Sequence, residues 1–203
     1  MTENKKENLN NRMIKFLFEG APVRGACVQM AEEWQEMIKF HHYPENVAAL
    51  LGQFTAGALL LSSTIKFEGS LILQVKGSGP IAFIYAEVRN PMSVRAMAEI
   101  REGAEIKPEM DLQELINKDG KGLCALILDP KDRRPGVQPY QGMVSLESNS
   151  VAENLENYMA KSEQLETKLY LAADCKKLGG LVIQKMPSVG GNVSEISDPD
   201  AWG

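Results

Sequence analysis

The chain has 203 residues, 44% of them hydrophobic, with 22 basic against 27 acidic side chains and a formal net charge of −5. A chain of this length buries most of the surface its unfolded form exposes, so it needs no disulfide or metal to fold. The acidic balance and the lack of a Lys/Arg run argue against a nucleic-acid surface.

Residues 1–12 are polar and hold no apolar stretch of the kind a signal peptide needs. Cys27, Cys124 and Cys175 are odd in number and far apart, which is no disulfide framework. Both features point to a reducing compartment, the cytoplasm.

Residues 12–20 and 23–30 read as extended segments joined at Ala21-Pro22. Met30, Trp34, Met37, Ile38 and His41 then recur at helical spacing, which predicts an amphipathic helix over 31–40. Pro44 suits the first turn of a second helix reaching about residue 63. Residues 47–65 carry no charge, a length that could span a bilayer. Lys66 and Glu68 lead straight from it into a strand pattern, which favours a buried core helix over a membrane span. Gly52 and Ala56, four apart, offer a flat strip for a close neighbour.

Leu71, Leu73 and Val75 alternate with more polar residues as in a strand, and Gly77-Ser78-Gly79-Pro80 turns it into a returning strand over 81–88. Asn90-Pro91 is another turn before a strand over 94–100. Asp111 with Glu114 is a capping-box pattern before a short helix. A strand over 123–128, a proline-rich loop over 129–139 and a strand over 141–147 follow. Ser150 with Glu153 forms a second capping-box pattern, ahead of one apolar helical face made by Val151, Leu155, Tyr158, Met159 and Leu165. Residues 168–172 and 181–186 are the last strands, and 188–203 has the polar, glycine-rich composition of a tail or linker.

Strands come in runs rather than alternating with helices. The expected fold is α+β: a mixed or antiparallel sheet curling over a buried central helix, in a single domain over 1–187.

Little catalytic chemistry is visible. The chain has no C-x-C or C-x-x-C, and His41 and His42 stand apart from every cysteine, so no metal site is expected. The Gly77-Ser78-Gly79 turn runs into a strand, not a helix, so it is no phosphate cradle. Cys124, in an apolar strand, reads as a small hydrophobe. Cys175, between Asp174 and Lys176-Lys177, is the candidate reactive thiol. Ten methionines suit either core gap-filling or an adaptable binding surface, and Met186, where domain becomes tail, is the most suggestive.

A series of motifs then points one way. Val23-Arg24-Gly25 is followed by Thr64-Ile65-Lys66-Phe67-Glu68-Gly69, Leu73-Gln74 and Gly77-Ser78-Gly79-Pro80. Next come Tyr140-Gln141-Gly142-Met143-Val144-Ser145-Leu146-Glu147, Leu155-Glu156-Asn157-Tyr158 and Ser162-Glu163-Gln164-Leu165 with Thr167. Gly179-Gly180-Leu181 and Gln184-Lys185-Met186-Pro187 close the series. In this order and spacing the chain resembles the heat-shock protein 33, or 33-kDa chaperonin, family from about residue 12 to 187.

The resemblance implies an ATP-independent holdase that binds unfolded client proteins under oxidative stress and is a homodimer when active. It implies a C-terminal domain holding zinc through C-x-C and C-x-x-C pairs, whose oxidation to disulfides frees a linker from an apolar face of the core. This chain has neither motif, and none of its three cysteines matches a zinc-ligand position. The expectation is therefore a truncated form, with no cofactor of its own, whose linker begins at 188–203. The expected client or linker surface comprises Phe16, Phe18, Val23, Leu181, Ile183 and Met186. Two other readings stay open: a passive dimerisation module, and an enzyme of unassigned type on the same fold.

Overall fold

The structure, a computed structural model, describes residues 11–65, 67–89, 93–132 and 138–186. The predicted domain boundary at Pro187, the tail, the Asn90-Pro91 turn and part of the proline-rich loop lie outside these residues.

One element organises the rest. The uncharged stretch forms helix α2, Glu45–Thr64, and it is buried on nearly every side. It is long and apolar enough to cross a membrane, but 78% of its apolar window is covered by the fold. Two antiparallel sheets hold it between them. The first is built from β1 (Arg12–Leu17), β2 (Val23–Met30), β9 (Leu178–Lys185) and β8 (Thr167–Ala173), in the order β1-β2-β9-β8. The second runs β5-β4-β3-β6-β7, from β3 (Gly69–Lys76), β4 (Ile81–Arg89), β5 (Ser93–Ile100), β6 (Leu123–Pro130) and β7 (Tyr140–Ser145). Both sheets touch α2, which replaces the single curling sheet read from the sequence. A helix apolar all round needs cover on two sides, and one small sheet supplies only one.

The remaining helices are short props. In α1 (Glu32–Ile38), Trp34 is wholly buried and its Nε1 donates to the Asp174 carbonyl at 2.7 Å. This helix is shorter than predicted, and Phe40 lies beyond it, 79% exposed. Pro44 stands at the N-cap of α2 rather than inside its first turn. The capping box of α3 (Leu112–Ile116) forms in both directions, between Asp111 and Glu114.

The second predicted capping box forms only by half. Ser150 Oγ accepts from the Glu153 amide at the start of α4 (Val151–Ser162), but the Glu153 carboxylate is taken by Ser148 Oγ. The buried Asn154 side chain also bonds Ser148, through its main-chain amide and carbonyl, so the preceding loop competes for the cap.

The glycine turn behaves as read. A Cβ on Gly79 would meet the Leu115 carbonyl at 2.5 Å, so the turn packs on the end of α3 and feeds β4. On α2 the flat strip is real at Gly52, where a Cβ would meet Ala173 Cβ at 2.4 Å and the Trp34 ring at 3.2 Å. At Gly57 a Cβ would press on the flexible tip of Leu155, at 2.8 Å, with the tips of Leu171 and Leu73 in ordinary contact at 3.7 and 3.9 Å. Gly52→Val is accordingly expected to lower stability by about 1–3 kcal/mol, the usual cost of overpacking. Gly57→Ala gains helix propensity and should stay within about 1 kcal/mol of the parent. Urea unfolding of both variants checks this, and equal midpoints would contradict the close approach at Gly52.

Candidate functional site

The four-stranded sheet turns one face to α2 and the other to solvent. Ala26, Val28, Met30, Leu169, Leu178 and Val182 point inward and are buried. Strand alternation sends their neighbours outward. The register aligns Ile14, Cys27, Leu181 and Tyr170 in one row across all four strands. The next row holds Phe16, Gly25, Ile183 and Lys168. Past it, the Phe18 amide donates to the Val23 carbonyl at 3.0 Å, and Val23 faces Lys185.

Gly25 shapes this face. A Cβ there would lie 2.3 Å from the Phe16 ring, so the ring rests directly on the bare backbone of β2. Phe18 meets Phe16 edge-on with centroids 5.7 Å apart, a favourable aromatic geometry. Around these rings Ile14 is 47% exposed and Tyr170 62%. Lys168 pairs with Glu156 at 3.2 Å and Lys185 with Glu166 at 3.3 Å, exposed contacts that add solubility more than stability.

Five of the six residues expected to form the surface thus share one face: Phe16, Phe18, Val23, Leu181 and Ile183. Met186 is at its rim, where its amide donates to the Pro22 carbonyl at 2.7 Å as the chain leaves β9. Ile14, Cys27 and Tyr170, which are not among those six, lie on the same face. Strand alternation within 12–17 gives Ile14 the same side as Phe16, but Tyr170 needs the register of β8 on β9, which no local pattern shows.

The outward face of the second sheet is mixed. Its apolar positions are interrupted by Arg95 facing Glu87, and Glu87 pairs with Arg89 at 3.2 Å.

The other candidates resolve as follows. Cys124 is fully buried, and desolvation pushes its thiol up to about 12, so it stays protonated and inert. Cys175 is exposed in the β8–β9 turn. There the Asp174 carboxylate accepts from the Lys176 and Lys177 amides at 2.7 and 2.8 Å, which holds it below the ordinary Asp value. Tyr158, Tyr140 and Glu163 form a compact cluster with O···O distances of 2.8–3.1 Å. Desolvation, then the bonds to Tyr140 and Glu163, raise the Tyr158 phenol above its usual value. The cluster clamps edge strand β7 to the end of α4. Among the described residues no group of three or more His, Cys, Asp or Glu is placed to hold a metal ion, so the zinc the family resemblance implies finds no ligand set in them.

The family model for Hsp33 protein matches residues 11–200. The chain belongs to the Hsp33 family. A 33 kDa chaperonin of Methylobacillus flagellatus is 36% identical over 195 residues, covering 96% of this chain and 62% of that protein. A 33 kDa chaperonin of Nitrosococcus oceani is 40% identical over 189 residues, covering 92% of this chain and 62% of that one. The chain thus spans about three-fifths of the length of these relatives. The crystal structure of a 33 kDa chaperonin from Thermotoga maritima superposes with a TM-score of 0.69 at 21% identity, covering 87% of this chain and 62% of that one, and so shares the Hsp33 fold.

The apolar face makes a direct prediction. Ile14 and Tyr170 are about half exposed or more. Replacing both with Ser should change unfolding free energy by no more than about 0.5 kcal/mol, as for surface sites in general. The same change should lower the fluorescence of an apolar-surface dye such as ANS. Undiminished dye binding would place the accessible apolar surface elsewhere.

Proposed function

We propose that this chain is the client-holding core of an Hsp33-type chaperone, and that it holds unfolding proteins on the outward face of its four-stranded sheet. The observation that carries the reading is the unbroken apolar row Ile14–Cys27–Leu181–Tyr170 with the Phe16–Phe18 pair beside it. Soluble monomers seldom leave such a contiguous patch open without a use for it. Binding by burial of apolar area is non-directional, so it tolerates clients of any sequence. No ATP is needed, because the affinity comes from surface already exposed. The reading is non-enzymatic, in keeping with relatives named as chaperonins.

The family's redox switch fits the same face. A linker that competes for it acts as a ligand at high effective concentration, and its release by oxidation of a zinc-holding domain would hand the face to clients. The chain leaves β9 at Met186, beside the Pro22 end of the face, so a following segment starts at its rim. The setting would be the reducing cytoplasm, with a homodimer as the active form.

At a few-fold excess the chain should suppress light scattering by a denatured reporter enzyme diluted into buffer, equally with and without ATP. The Ile14→Ser, Tyr170→Ser double variant should lose most of that protection. An inactive parent chain, or a double variant as active as the parent, would refute the reading. Dimerisation with no protection, followed by sedimentation, would instead mark a passive dimerisation module.

No cysteine supports the face covalently, so peroxide treatment should leave protection by this chain unchanged. A several-fold change that disappears in Cys175→Ser would show that the turn thiol is itself a switch.

A further inference from the structure

Each sheet ends in edge strands, and two of these edges in the molecule are blunted by side chains. On β5 the Tyr43 hydroxyl both accepts from the Ala98 amide, at 3.0 Å, and donates to the Ala98 carbonyl, at 2.9 Å. On β8 a Glu156 oxygen accepts from the Leu169 amide at 2.7 Å. Such devices stop an edge from recruiting another strand.

Edge strand β1 is different. The Phe18 amide points into β2, so alternation directs the amides and carbonyls of Met13, Lys15 and Leu17 to the free side. Among the described residues none bonds them. Their side chains face the same way as the sheet's inner surface, but α2 does not fill the space below them. A cleft of about 700 Å³ opens there, between β1, the end of α2 and the second sheet. Met13, Ile65, Phe67, Leu71, Val88 and Leu128 give it apolar walls. A second cleft of about 450 Å³, beside Phe16, Leu17 and Gly25, shares Lys15 and Ser63 with the first. The Lys15 ammonium crosses between them to the Ser63 carbonyl, at 2.9 Å. Lys15, Arg24 and Arg89 line this groove, with Arg89 paired to Glu87, and Glu68 is the acid that lines it among the described residues.

The geometry points to a strand-addition site along β1, which takes an extended, apolar segment of an unfolding polypeptide that carries acidic side chains. The open amides and carbonyls supply the ladder, the apolar walls take alternate side chains, and Lys15 and Arg24 select the charge. Two copies of this chain are poorer occupants, because pairing β1 with β1 would bring Arg12 and Lys15 of both into one short ladder. The inference rests on the client-holding reading and extends it. Phe16 lies on the outward face and also lines the groove, so one client can run from one to the other.

The test uses the whole chain and fluorescein-labelled peptides of about ten residues, alternating Val or Ile with Glu, read by fluorescence anisotropy. A matched peptide has Lys in place of Glu. A third carries N-methyl groups on alternate amides along one edge, in both phases. The Glu peptide should bind more tightly than the Lys peptide, and Lys15→Glu should weaken it about tenfold or more while favouring the Lys peptide. The N-methyl peptides should lose binding in at least one phase, because methylation removes ladder donors without changing the side chains. Lys118→Glu, the same charge change in the exposed turn after α3 and outside the groove, should bind the Glu peptide as the parent does.

Undiminished binding of both N-methyl peptides, or indifference to Lys15→Glu, would overturn the strand-addition site. Loss of peptide binding only in the Ile14→Ser, Tyr170→Ser variant would do the same while leaving the client-holding reading intact. A chain that binds the Glu peptide through Lys15 yet protects no aggregating enzyme would keep the groove and sink the chaperone reading. A dimer broken by Lys15→Glu, with no peptide bound by the parent, would overturn the site in favour of pairing between copies.

Discussion

The structure depends on covering helix α2. Its sequence from Val47 to Thr64 holds no charge, and residues as far apart as Val47, Phe54 and Leu61 are all buried. Such a helix has no wet side, so its stability comes from contact and not from its own caps. Its N-cap residue, Pro44, makes no side-chain cap, and at the other end the Ser62, Ser63 and Thr64 hydroxyls donate to the Leu59, Leu60 and Leu61 carbonyls while Lys15, from a different element, meets the Ser63 carbonyl. Each sheet supplies one wall, and each must then present its other face to water. Truncating Leu51, Leu59 or Leu61 to Ala would cost about 2–5 kcal/mol, since two rigid walls cannot collapse into the gap together.

That division sets the character of the two outward faces. The five-stranded sheet dilutes its apolar positions with an ion pair and with Arg95. The four-stranded sheet also carries ion pairs, at Lys168 and Lys185, but leaves the row Ile14–Cys27–Leu181–Tyr170 free of charge, and it lays the half-buried Phe16 ring on the backbone of Gly25. A surface selected only for solubility would carry a polar side chain at Ile14 or Tyr170, because those positions bear little packing.

Local pattern and nonlocal pairing were legible to different degrees. Helix α2, the β3–β4 hairpin and the α3 cap follow from short-range rules, and all lie close to where the sequence puts them. The four-stranded sheet was not legible, because β9 pairs with β2 across about 150 residues of chain, and nothing near Leu181 announces Cys27 as its neighbour. The half-formed cap at Ser150 failed for a local reason: Ser148 reaches the Glu153 carboxylate that the cap would have used. At the candidate site, alternation along β9 was enough for Leu181 and Ile183, while Tyr170 became visible only with the register. The family's motifs carried the functional reading, and they do so through shape. Val23-Arg24-Gly25 and Gly179-Gly180-Leu181 are the two strands that meet at the centre of the exposed face.

The same architecture limits how such a face can be controlled. Its strands carry Val28, Leu169 and Val182 on their other side, locked against α2, so the face cannot be withdrawn by a local shift without opening the core. Cys124, the cysteine deepest in the fold, is on the other sheet and is held protonated. Cys27 lies in the face itself, and Cys175 is in a turn at the far end of β9, close to Trp34 through the Asp174 carbonyl. None of the three ties strand to strand. A segment laid over this face would therefore hide it without refolding it.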